Sequence, residues 1–100
     1  MPRFVLTNAA MTDLKSIGRY TQDTWGIAQR NRYLAVLDGS FHDLAANPLM
    51  GRDCGDIRSG YRKYPIGKHI VFYRQTEADQ IEIVRILHER MDVEARLGDS

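Results

Sequence analysis

One hundred residues with a net charge of +1, 43% apolar and 27% charged, describe a single folded domain rather than a disordered tail. One cysteine, Cys54, excludes an internal disulfide and a Cys-based zinc site, and suits a reduced, cytoplasmic setting. The opening MPRFVLTNAA has no apolar signal segment, runs such as IVFY are too short to cross a bilayer, and no repeat is visible.

RFVLT, 3–7, reads as a short strand. Thr7 or Asn8 then caps a helix by accepting a free backbone N–H. Ala10, Leu14, Ile17 and either Tyr20 or Thr21 recur at helical spacing, and the helix is expected to end near Trp25 at Gly26. A second helix is predicted from about Ile27 to Ala46, with Tyr33, Leu34, Leu37, Phe41, Leu44 and Ala45 on one face. Gly39 inside it is either a close-packing point or a tolerated weakness. Asn47 and Pro48 stop the helix, so the two helices form an antiparallel hairpin.

Residues 47–60 carry Pro48, Gly51, Gly55 and Gly60 and read as a loop. YRKYPI, 61–66, reads as a strand that ends or turns at Pro65. HIVFYRQT, 69–76, and IEIVRILH, 81–88, read as a hairpin around Ala78-Asp79. That register pairs His69 with His88, Val71 with Ile86, Phe72 with Arg85 and Tyr73 with Val84. The last strand is apolar on both faces, with Ile81, Ile83 and Leu87 on one and Val84 and Ile86 on the other. Such a strand needs cover on both sides, from this chain or from a partner. VEARL, 93–97, has the pattern of one helical turn. The expected order is β-α-α-β-β-β: an α+β domain over residues 1–100, with a helical hairpin on a small antiparallel sheet and a short tail from about residue 90.

Charge is uneven along the chain. Six basic residues (Arg52, Arg58, Arg62, Lys63, Lys68, Arg74) face two acids between 52 and 74, whereas seven acids face three basic residues from Glu77 onward. Such a belt either meets an acidic partner or is a solvated surface balanced through space.

The chemistry on offer is sparse. His42, His69 and His88 are the only histidines, and no third metal ligand accompanies the His69/His88 pair. No GxSxG elbow or Walker lysine is present, and Cys54 stands alone beside Arg52 and Arg58, which would lower its thiol pKa. A metal-free ribonuclease is chemically possible. His88 would act as acid or base, Arg62, Arg74 and Arg85 would carry charge, and Tyr73 would stack on a base. The structural alternative packs the Arg85 stem over Phe72 and ends a strand at His88. Strand alternation sends Arg85 and His88 to opposite faces unless the strand breaks between them.

DLKSIGRYTQDTWG, FHDLAANPLMGR, IRSGYRKYPIGKHIVFYR and IEIVRILHERMD, in that order, resemble the ParE branch of the RelE/ParE toxin superfamily over about residues 3–97. The resemblance implies a helical hairpin on a small sheet. It also implies the toxin of a type II toxin–antitoxin pair, neutralised by a ParD-like antitoxin whose C-terminal tail wraps it, and acting on DNA gyrase by binding. On this reading no cofactor, metal, membrane or direct nucleic-acid contact is expected. Arg58, Arg62, Tyr64, Arg74 and Arg85 are the residues expected to meet antitoxin or target. RelE-type relatives instead cut mRNA on the ribosome, which would assign His88, Arg62, Arg85 and Tyr73 to a catalytic site. The lysine- and arginine-crowded sheet of that branch is missing here.

Overall fold

A computed structural model describes residues 2–90. Its elements are β1 (Arg3–Leu6), α1 (Asn8–Trp25), α2 (Ile27–Ala46), β2 (Arg52–Asp53), β3 (Arg62–Ile66), β4 (His69–Glu77) and β5 (Gln80–His88). The helical turn expected at 93–97, and the tail after residue 90, lie outside the described residues.

The α+β architecture follows the expectation, and the sheet departs from it in two respects. It has five strands in the order β1-β5-β4-β3-β2, and it is mixed, because β1 lies parallel to β5. The added strand, β2, is two residues of the expected loop, paired antiparallel with β3 through Arg52–Lys63 and Asp53–Arg62. The helical hairpin is the crossover that allows β1 and β5 to run parallel at opposite ends of the sequence. Pro65 sits within β3 rather than ending it, which is tolerated because β2 covers only Arg62 and Lys63 and leaves the rest of β3 an edge.

Thr7 links strand to helix. Its hydroxyl accepts from Ala10 N at 3.0 Å as the N-cap of α1 and donates to Val84 O at 2.7 Å. Its own N–H donates to Ile83 O. At the other end, Gly26 takes φ +92° and donates to Gln22 O, so an 18-residue and a 20-residue helix meet at one residue. Of the two candidates for the stripe, Thr21 is buried, with its hydroxyl donating to Ile17 O, whereas Tyr20 points outward. Open space surrounds the position where a Gly39 Cβ would stand, so Gly39 is the tolerated weakness rather than a packing point.

The β4–β5 register holds from His69–His88 through Phe72–Arg85 and then shifts, so that Tyr73 pairs with Ile83 and not with Val84. Val84 is the extra residue of a bulge, and its carbonyl is the one Thr7 holds. A bulge reverses the alternation of the residues beyond it. Ile81, Ile83 and Ile86 therefore share the helix-side core with Val71, Tyr73, Ile17, Leu37, Phe41 and Leu44, while Leu87 lies in a second cluster. This corrects the expected grouping of Leu87 with Ile81 and Ile83, and the expected separation of Ile86 from them. The second cluster joins Leu87, Phe72 and Cys54 to Ile57, Tyr61 and Ile70, where the loop after β2 covers the reverse face of the sheet. Both faces of β5 are thus covered by this chain itself. Its doubly apolar pattern needs no partner.

Candidate functional site

Two recesses flank the helical hairpin. A groove of about 620 Å³ runs between β1 and the two helices. Its floor is Phe4, Leu6, Leu14, Leu34 and Phe41, and Lys15, Arg19 and Asp38 stand among its walls. Phe4 is held edge-on against the Phe41 ring at 5.4 Å and the His42 ring at 4.9 Å. β1 ends the sheet on this side, so among the described residues no strand lies along its outer backbone edge. An apolar floor beside an open strand edge is the geometry that accepts an amphipathic segment.

The second recess, a cleft of about 740 Å³, lies at the far end of the sheet and brings together Tyr20 and Trp25 of α1, Tyr33 of α2, Lys68 of the β3–β4 turn, His69 at the start of β4, and His88, Glu89 and Arg90. Gly67 makes the turn at φ +57°, and a Cβ there would strike the Tyr33 ring. The Tyr33 hydroxyl and His69 Nδ1 share a 2.6 Å hydrogen bond. His69 and His88 pair across the strands as expected, with rings edge-to-face at 5.5 Å. Burial, and then the neighbouring His88, hold the His69 pKa below its ordinary value, with Glu89 and Asp13 opposing. Burial pushes the Tyr33 phenol up.

The residues expected to meet antitoxin or target are spread over the sheet and largely engaged within the chain. Arg62 donates to Gly51 O at 2.7 Å. Arg74 pairs with Glu82 at 2.9 Å. Arg58 lies over the Tyr61 ring, 5.7 Å from its centroid. Tyr64 is half-buried against the helix-side core. Arg85 is gripped by Asp13 of α1, through Nε at 2.8 Å and a second bond at 3.0 Å, with only 15% and 13% of the two side chains exposed. Asp13 also accepts the Ile86 N–H at 2.9 Å, beyond the end of β1 where the edge of β5 would otherwise be open. Sequence reading missed Asp13, whose only signal was a carboxylate one residue from the apolar stripe.

The four residues assigned to a nuclease site do not converge either. Tyr73 is fully buried, donating to Pro48 O at 2.7 Å and accepting from Gly51 N at 2.8 Å. Its phenol is pushed up by burial. His88 lines the cleft, Arg85 is held by Asp13, and Arg62 is tied to the loop before β2. The bulge precedes Arg85, so alternation from Arg85 to His88 is unbroken. Cys54 is buried, and burial raises its thiol pKa, outweighing the nearby Lys63 and correcting the expected depression. Among the described residues no three His, Cys, Asp or Glu side chains gather as a metal site, and no helix is long and apolar enough to cross a membrane.

The described residues form an α+β domain in which a helical hairpin on a mixed five-stranded sheet is flanked by two recesses. The family model described as the ParE toxin of the type II toxin–antitoxin system parDE matches residues 4–93. The chain is 45% identical over 95 residues to Toxin ParE1 of Mycobacterium tuberculosis, covering 95% of this chain and 97% of that protein. It is 37% identical over 99 residues to Toxin ParE of Escherichia coli, covering 99% and 96%. It is 36% identical over 98 residues to Toxin ParE1 of Caulobacter vibrioides, covering 98% and 100%. A solved structure described as a chromosomal ParDE TA system from P. aeruginosa has the same fold, with a TM-score of 0.74 at 18% identity, over 88% of this chain and 96% of that one. This chain therefore belongs to the ParE toxin family of type II toxin–antitoxin systems.

Proposed function

We propose that this protein is neutralised by a ParD-like antitoxin and, when free, inhibits DNA gyrase by binding in the cytoplasm, without turnover of its own. Family membership over residues 4–93 is the observation that carries this reading. The groove between β1 and the helices is the seat for the apolar side of the antitoxin's C-terminal tail. Acidic residues of that tail would meet Lys15 and Arg19 at the groove and, farther along, the belt of Arg58, Arg62, Tyr64, Arg74 and Arg85. Since Arg62, Arg74 and Arg85 already have partners within the chain, the groove supplies most of the affinity and the belt mainly the electrostatic steering.

Purified toxin assayed with gyrase for supercoiling, beside ribosomal toeprinting, tests the target. Inhibited supercoiling with intact mRNA is expected, and cleaved mRNA with untouched supercoiling would refute it. A complex structure in which the antitoxin tail avoids the groove would refute the docking assignment.

A further inference from the structure

The cleft at the far end of the sheet has no part in the groove reading, and its composition is unusual for a bare surface. Among the described residues eight large apolar side chains are exposed, and the two aromatic ones, Tyr20 at 68% and Trp25 at 70%, both line this cleft. Aromatic rings that exposed contribute little to the chain's own core, so their flat faces are free to take a partner.

The polar groups around them point the same way. Lys68 and Arg90 line the cleft without a carboxylate partner among the described residues, in contrast to Arg74 and Arg85 on the sheet. His88 Nδ1 accepts the Arg90 N–H at 3.2 Å, which leaves Nε2–H as the donor of the neutral ring. Among the described residues Glu89 is the one carboxylate in the lining. The cleft thus offers flat faces for a planar ring, with two cations and an imidazole donor against one acid. Its volume, about 740 Å³, falls within the roughly 300–1,000 Å³ of small-ligand sites.

We propose that this cleft binds a nucleoside phosphate, its base against Trp25 and Tyr20 and its phosphate at Lys68, His88 and Arg90. Sequence reading expected no direct nucleic-acid contact, and this proposal departs from that expectation. Aromatic stacking beside a cationic phosphate contact is the combination by which proteins hold single strands without reading their sequence. The same chemistry serves a free nucleotide or one unit of a strand. The assignment does not depend on gyrase being the target.

Trp25 is the only tryptophan, so its fluorescence reports the site directly. The full-length toxin is titrated with adenosine monophosphate in one arm and with an oligothymidylate of about twelve nucleotides in the other. Saturable quenching that weakens with salt is expected in at least one arm. Quenching by the monophosphate assigns the site to free nucleotides, and quenching by the oligomer alone assigns it to a strand. Lys68→Glu, at an exposed turn, should weaken binding about tenfold or more and lower the salt slope by about one. Trp25→Ala, followed by anisotropy of a labelled oligomer, should weaken it by about tenfold to a hundredfold, with Trp25→Phe retaining most of the affinity. No quenching in either arm would overturn the proposal. So would equal affinity in folded Lys68→Glu, or a polyglutamate peptide that outcompetes both probes, which would mark a protein-binding surface instead.

Discussion

The two recesses differ in what their walls still lack. The groove beside β1 has an apolar floor already packed into the core, since Phe4 meets Phe41 and Leu14 and Leu34 lie against buried residues. The cleft beside His88 has exposed aromatic and charged side chains on its rim, with Trp25 and Tyr20 exposed and Lys68 and Arg90 without a carboxylate partner among the described residues. A surface of the first kind gains affinity by burying an apolar segment, which yields roughly 25 cal/mol per Å² before association costs. The second gains it by stacking and charge, and is therefore sensitive to salt. On these proposed assignments one small domain holds two unlike partners, because the helical hairpin, set on the sheet, leaves a different surface on each flank.

The sharpest way to break this comparison is to truncate the groove alone. Phe4→Ala combined with Leu14→Ala should weaken antitoxin-tail binding by about 3 kcal/mol, roughly a hundredfold, by calorimetry, and leave quenching of Trp25 by nucleotide unchanged. Loss of both would mean that the recesses are one coupled surface.

Asp13→Ala should disturb both sides together, because Asp13 fastens the shared α1 to β5. It removes a largely buried ion pair with Arg85 and the acceptor of the Ile86 N–H, and should lower unfolding free energy by about 3 kcal/mol in urea titration. A loss under about 1 kcal/mol would show that Arg85 is held well enough by its other partners or by water.

Gly67→Ala should act on the cleft only. It adds a Cβ against Tyr33 at a positive φ, and a cost of about 2 kcal/mol with unchanged antitoxin affinity is expected.

Acid should weaken the cleft end in a further, smaller way. With the His69 pKa held below its unfolded value near 6.5, the unfolded chain binds more protons between the two values, so stability falls as pH drops through that window. Melting temperatures from pH 8 to 5 should show this fall, and His69→Gln should flatten it.

Gly39→Ala, at a position that lines neither recess, should add about 0.5–1 kcal/mol and change neither affinity, since open space surrounds the position.

Local patterning carried much of the fold. Helical spacing marked both helices to within a residue or two, and the Ala78-Asp79 turn predicted the pairs from His69–His88 through Phe72–Arg85, while two register shifts displace those from Tyr73 to Gln75. The functional surfaces were less legible. Phe4, Leu14, Leu34 and Phe41 were recognisable as apolar positions, but nothing local said that they line one groove. Tyr33 and His69 lie 36 residues apart, and only packing makes them hydrogen-bond partners. Belt arginines that look free in sequence are engaged in space, because Asp13 and Glu82 arrive from other elements.

The sequence by itself determined the alternating strands, the two amphipathic helices with the Gly26 joint, and the family to which the chain belongs. These depend on periodicity and on residues near one another in the chain, where side-chain direction follows from backbone geometry. Tertiary structure alone decided that β1 lies parallel to β5, that Val84 bulges, and that the loop after β2 covers Leu87 and Phe72. Each of those outcomes turns on long-range contacts, such as the Thr7 hydroxyl meeting Val84 O across 77 residues. A bulge exchanges the two faces of a strand without altering its hydrophobic content, so composition and spacing leave it undetermined.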